Sequence, residues 1–199
     1  LRKHAFDAQG RVLFSLTREG APAFFQRKPY SAVFVALGFL EYARATGDEQ
    51  YRESGVELFW KICEWIADPA ALGRPSYGSG PAMSQLADIM VVALLALEIA
   101  RFDNSTAIQD RLAWCLQSVR AHWNPDRRLL FENAMPGTDG FRQTPEGRFY
   151  CPGSAIEVGW FLLHVLEKFP DAHLTRILLD AIEGALDFGN DLTDAGVIE

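Results

Sequence analysis

Six stretches of the chain repeat apolar residues at helical spacing, and they alternate between two kinds. The first, about Ser31–Ala45, is apolar nearly all round at its start, through Val33, Phe34, Val35, Ala36 and Leu37. The third, about Met83–Arg101, is apolar all round from Ile89 to Leu97. The fifth, about Ala155–Lys168, is apolar through Ala155, Ile156, Val158 and Trp160 to Leu163. The second (about Glu49–Ala67), fourth (about Ser105–His122) and sixth (about Ala172–Phe188) are one-sided. In the second, for example, Arg52, Glu53, Glu57, Lys61 and Glu64 oppose the apolar stripe. An up-and-down bundle would make every helix one-sided. The alternation instead suits helical hairpins stacked side by side, with an inner layer covered on both faces and an outer layer facing water. It predicts an all-α fold, an α/α toroid of helical hairpins.

A turn-and-strand motif recurs between the helices. Asp7–Phe14 (DAQGRVLF) lines up with Asn124–Phe131 (NPDRRLLF), 117 residues further on. A degraded third copy starts at Asn190-Asp191 and reaches Gly196-Val197-Ile198. Each copy reads as a turn followed by a short strand. Val12–Thr17 and Ala23–Lys28 predict one hairpin, and Leu129–Asn133 with Phe141–Thr144 another; these are short β-hairpin insertions in the ring. The third copy stops as its strand begins, and a closed ring needs more chain than this. The expectation is one (α/α) barrel domain over residues 1–199, incomplete at both ends.

Composition narrows the partners. A formal charge of −7 argues against nucleic acid or an anionic membrane surface. Hydrophobic residues at 49% supply ample core and exclude a disordered chain. The longest apolar run, Ile89–Leu97, is too short for a bilayer span, which takes about 18 residues. No apolar signal segment follows Leu1-Arg2-Lys3-His4. Cys63, Cys115 and Cys151 form no CxxC pair, so a reducing, cytoplasmic compartment fits better than a disulfide framework or zinc ribbon. No HExxH or comparable ligand spacing occurs, so no catalytic metal is expected.

The loops before the three apolar helices, Gln26–Ser31, Gly80–Gln85 and Arg148–Ser154, are expected at one end of the ring. The helix N-termini there would turn positive dipole ends toward a polar or anionic ligand. The plain reading of Ser31, Ser84 and Ser154 is N-capping. His122 falls near a helix C-terminus, a favourable place for a cation.

Several of these segments carry a resemblance. Val12-Leu13-Phe14-Ser15-Leu16-Thr17-Arg18-Glu19-Gly20, Gln26-Arg27-Lys28-Pro29-Tyr30-Ser31, Leu130-Phe131-Glu132-Asn133 and Pro152-Gly153-Ser154-Ala155-Ile156-Glu157-Val158-Gly159-Trp160 resemble the N-acylglucosamine 2-epimerase (renin-binding protein) family. The resemblance runs over nearly the whole chain. It implies an (α/α)6 barrel of twelve helices, about half of it supplied here. It also implies an isomerase that interconverts C2 epimers of an N-acetylhexosamine or related free aldose. Such chemistry opens the sugar ring, removes the proton beside the carbonyl and returns it to the opposite face. The resemblance implies a small-molecule sugar as partner, a homodimer as one assembly, no required cofactor, and ATP as an effector, since some members bind it. The Gly-rich Gly73–Gly80 echoes such members but lacks a P-loop Gly-Lys-[Ser/Thr], and reads more simply as a connecting turn.

Residue by residue, Glu132, Glu157 and Ser154 fall on catalytic positions, and Tyr30, Asn133 and Arg148 on substrate-binding ones. Two positions depart. Ser154 stands where the family carries the histidine of Pro-Gly-His, and serine is a poor base without a partner. Ala32 stands where relatives tend to carry glutamate or histidine. The departures keep two alternatives open: a one-base aldose–ketose isomerase, and a non-catalytic sugar-binding or interaction relative. Glu157 also lies three residues after Ser154, the spacing of a capping box. Glu132 also reads as a solvated strand residue, and Arg148 as a loop charge or an ion-pair partner of Glu132 or Glu157.

Overall fold

Residues 3–74 and 82–194 are described by a computed structural model. The chain divides into two compact units, Leu1–Ser76 with Glu98–Asp103, and Tyr77–Leu97 with Asn104–Glu199.

In the first unit a turn opens the chain. The Asp7 carboxylate accepts from the backbone N–H of Gln9 and Arg11 and pairs with the Arg11 guanidinium at 2.8 Å. β1 (Ser15–Leu16) and β2 (Pro22–Phe24) form an antiparallel hairpin, shorter than the predicted strands. Helices α1 (Tyr30–Thr46) and α2 (Glu49–Ala67) follow as an antiparallel pair. Gly47, at φ 73°, closes α1 in the left-handed conformation that glycine tolerates, and Asp48 caps α2 through the Gln50 N–H. Gly55 lets the helices close, because a Cβ there would press on Leu40 and the Ala36 carbonyl. Phe39, Leu40, Leu58, Phe59 and Ile62 form the core between them.

In the second unit β3 (Ser84–Gln85) leads into α3 (Leu86–Ile99), whose last two residues, Glu98 and Ile99, belong to the first unit. Then come α4 (Thr106–Ser118), β4 (Trp123–Asn124), β5 (Leu129–Leu130), β6 (Asn133–Ala134), α5 (Pro152–Leu166) and α6 (Ala172–Asp194). α3 is buried on nearly all sides, as expected for an inner helix. α5 packs along α6, and Gly159 admits Ile182 at their closest approach. The other apolar helices differ from the expectation. Phe34 on α1 is 72% exposed and Trp160 on α5 is 55% exposed, so each helix carries an open aromatic position.

Local pairing also differs. Leu129–Leu130 pairs with Trp123–Asn124, and Asn133–Ala134 pairs with Ser84–Gln85. Phe141–Gln143 is instead a 3-10 turn that Thr144 closes on itself by donating to the Phe141 carbonyl. Helices α1 and α5 start earlier than predicted, so neither Ser31 nor Ser154 is an N-cap. Pro152 occupies the first turn of α5, which proline favours, with Cys151 as the cap residue; Pro29 precedes α1. Ser84 lies in β3. The third motif copy is not a turn at its start, because α6 continues through Asn190-Asp191 to Asp194. Its remainder, and residues 75–80 of the Gly-rich stretch, lie outside the described residues.

Arg128 holds the β4–β5 turn at φ 54° and reaches α6, with Glu183 at 2.6 Å. Its carbonyl lies against Gly184, where an added Cβ would collide with backbone. Gly184→Ala is therefore expected to cost about 1–3 kcal/mol, read as a lower urea midpoint. A control on the same helix, Gly189→Ala, has nothing within 4 Å of the new Cβ and should not lower the midpoint.

Candidate active site

Glu132 is the backbone hub of the second unit. Its N–H donates to the Phe149 carbonyl at 3.0 Å, and its carbonyl accepts from Leu86 N–H at 2.7 Å. Leu86 opens α3, and Phe149 lies three residues before α5, so one residue ties together the approaches to both helices. The Glu132 side chain is half-buried. Asn133, 8% exposed, donates from its amide to the Glu146 carbonyl and holds that loop. Arg142 braces the same strand: its guanidinium sits 4.7 Å from the Phe131 ring centroid and donates to the Ala121 carbonyl.

Behind this strand lies His122. It is fully buried, with Nδ1 2.8 Å from the Phe131 carbonyl and Nε2 2.9 Å from Ser84 Oγ. Burial, with the Arg142 charge nearby, pushes its pKa down to about 4 against the stabilising hydrogen bond to Phe131. The expected cation at a helix C-terminus is thus a neutral core imidazole: desolvation outweighs the dipole. Ser84, expected as a helix cap, is its partner.

On α5, Ser154 is half-buried in the first turn and Glu157 is exposed one turn later. The capping-box reading of this pair fails, since the helix starts at Pro152. Helical spacing instead puts Gly153, Glu157, Trp160 and His164 on one face, and all four are exposed. Trp160 meets the His164 ring edge-on at 5.4 Å, and His164 pairs with Glu167. Tyr150 packs against Phe131 and Phe188, and burial, with the Cys151 charge, pushes its phenol up to about 12. Arg148 is exposed and makes no ion pair with Glu132 or Glu157 among the described residues. Tyr30 is the first residue of α1 in the first unit, with the Lys28 ammonium 5.3 Å from its ring centroid.

Of the sequence candidates, Glu132, Asn133, Arg148, Ser154 and Glu157 belong to the second unit, and Tyr30 to the first. Sequence reasoning missed the Ser84–His122 pair, the Arg142 brace and the exposure of Trp160. The Trp160 signal was present, as a tryptophan three residues after Glu157 on a helix. Chemically, the α5 face offers a carboxylate beside an open indole, which suits a polyol with apolar C–H faces. Among the described residues no group of three His, Cys, Asp or Glu side chains is placed to hold a metal, and no helix is long and apolar enough to cross a membrane.

Comparison with known proteins adds relatives. N-acylglucosamine 2-epimerase of Bos taurus is 33% identical over 173 residues, covering 85% of this chain and 41% of the bovine protein. The Homo sapiens protein of that name is 31% identical over 175 residues, covering 85% of this chain and 40% of its own length. No protein-family model matches the chain. Among solved structures, cellobiose 2-epimerase from Bacillus thermoamylovorans B4167 superposes with a TM-score of 0.67 at 14% identity, covering 90% of this chain and 50% of that one. A sugar epimerase from a ruminal bacterium gives 0.59 at 19% identity, with coverages of 97% and 51%. The fold is therefore the α/α toroid of these epimerases, in part. The chain spans about two-fifths of the length of the curated relatives, at 40–41%.

Proposed function

Because the chain belongs to the N-acylglucosamine 2-epimerase family, we propose that it is part of a sugar isomerase acting at C2 of an N-acetylhexosamine or related free aldose. The observation that carries this reading is the open Glu157–Trp160 face of α5, inside the Pro152–Trp160 segment.

In the proposed reaction Trp160 stacks on the open-chain sugar. The Glu157 carboxylate takes the proton from the carbon beside the carbonyl. The C–H electron pair moves into the C1–C2 bond, and the carbonyl π pair goes to oxygen as an enolate. Ser154 donates a hydrogen bond to that oxygen, with Arg148 supplying positive charge and Asn133 holding the Glu146 loop. A substrate-binding role for Tyr30, in the first unit, stays a proposal from the resemblance alone. Glu132, as the protonated acid, returns a proton to the opposite face of C2 and gives the epimer. The reaction as written needs no cofactor. ATP as an effector and a homodimer come from the resemblance alone and stay proposals, as does a cytoplasmic location.

Ser154 at the histidine position favours a second reading. On a free aldose, if the O2–H proton passes to O1 and Glu157 alone returns its proton to C1, the C2–O bond becomes the carbonyl and the product is a ketose. Product analysis decides. The full-length protein is incubated with N-acetylmannosamine, N-acetylglucosamine, mannose or glucose, and the mixture is separated by chromatography. A C2 epimer is the expected product, a ketose supports the one-base reading, and no product overturns both. Ser154→His should then raise the epimer rate by about 10–100-fold by restoring an imidazole base. An unchanged rate would leave Glu132 as the second acid–base group.

A further inference from the structure

We propose that Ser84 is a specificity-determining hydrogen-bond acceptor for one hydroxyl of the sugar, locked in that role by His122. The inference rests on the sugar reading above and adds a residue that neither the sequence motifs nor the resemblance assigns.

The lock follows from donor and acceptor chemistry. The Phe131 carbonyl can only accept, so the nitrogen 2.8 Å from it, His122 Nδ1, carries the hydrogen. A neutral imidazole then presents a bare lone pair at Nε2. Ser84 Oγ, 2.9 Å from Nε2, must donate its one proton there. His122 is fully buried and lies near the Arg142 guanidinium, and both features hold the ring neutral. An ordinary serine donates or accepts as its hydroxyl rotates. This one has its proton committed and offers only lone pairs.

The position gives the lone pairs a use. Ser84 is half-buried rather than enclosed in the core. It lies opposite Ala134 in the β3–β6 ladder, which continues through Gln85 and Asn133 to the Leu86–Glu132 hydrogen bond. The pairing sets residues 84 and 134 side by side on one face of that ladder, while Asn133 turns the other way to Glu146. The acceptor-only hydroxyl thus lies two residues from Leu86, whose N–H holds the Glu132 carbonyl, in the same local assembly as a proposed catalytic residue. An acceptor that cannot donate matches a ligand presenting O–H donors, which a free sugar does.

A double cycle between residue and ligand tests this. Binding of the four sugars named above and their monodeoxy analogues is measured by calorimetry on the full-length protein and on Ser84→Ala and Ser84→Thr. For the tightest-binding sugar, Ser84→Ala should weaken the parent about tenfold. One monodeoxy analogue should bind the natural protein about tenfold more weakly than the parent and lose nothing further in Ser84→Ala. Ser84→Thr, which keeps the hydroxyl, should bind within about threefold of the natural protein. A merely structural serine would weaken every analogue alike, and that result, or no weakening at all, overturns the proposal. If the natural protein binds none of the sugars, the sugar reading itself fails and this inference with it.

Discussion

Glu157→Gln is expected to slow turnover by about 10²–10⁴-fold while shifting stability by less than about 0.5 kcal/mol. Both halves follow from where Glu157 sits. Its side chain is exposed, beside Trp160, on the open face of α5. It caps nothing, because α5 begins at Pro152. Glutamine keeps the shape and removes the base. Glu167, at the far end of the same helix and paired with His164, is the control, and Glu167→Gln should leave turnover unchanged. Chemical denaturation and initial rates on the same preparations separate the two effects. An active Glu157→Gln protein would remove Glu157 from the reaction.

The second large effect is on stability against pH, and it belongs to His122. Its pKa falls from 6.5 in the unfolded chain to about 4 in the fold, because the buried imidazole resists protonation. Between those values the unfolded chain binds more protons than the folded one. Stability is therefore fully present above pH 6.5 and is lost as pH falls toward 4, by about 3 kcal/mol in all. Asp7, Asp171 and Glu41 also have lowered pKa values, but their windows lie below 3.8 for the aspartates and below 4.5 for the glutamate, so the loss between pH 6.5 and 4.5 belongs to His122. His122→Asn keeps a donor for the Phe131 carbonyl and cannot titrate. It should be less stable at pH 7 and nearly flat between pH 6.5 and 4.5 by urea unfolding. An unchanged slope in that variant would assign the loss to other groups.

How much was legible beforehand depended on the range of the interaction. The helices were local. The one-sided stripe and the Asp48 cap define α2, and its bounds match the expected Glu49–Ala67. The early starts of α1 and α5 came from prolines that sit beside or inside a first turn, where serine had been read as the cap. Strand partners were not local. Ser84–Gln85 pairs with a segment about 50 residues away, and nothing in the alternation of Leu129–Asn133 shows that.

The site divides in the same way. Ser154 and Glu157 share one helix and one motif, so spacing and resemblance reach them together. Ser84 and His122 are 38 residues apart and meet only in the fold. The apolar run of α5 read Trp160 as core, because helical periodicity does not tell a buried face from one open to a ligand.

Proton abstraction beside the sugar carbonyl is the claim on which the rest stands. The full-length protein is incubated in D2O with N-acetylmannosamine, N-acetylglucosamine, mannose and glucose, and the C2–H signal is followed by proton NMR. The account predicts loss of that signal in at least one sugar, with a C2 epimer accumulating. A C2–H signal that persists in all four, in a protein shown to be folded, would contradict it.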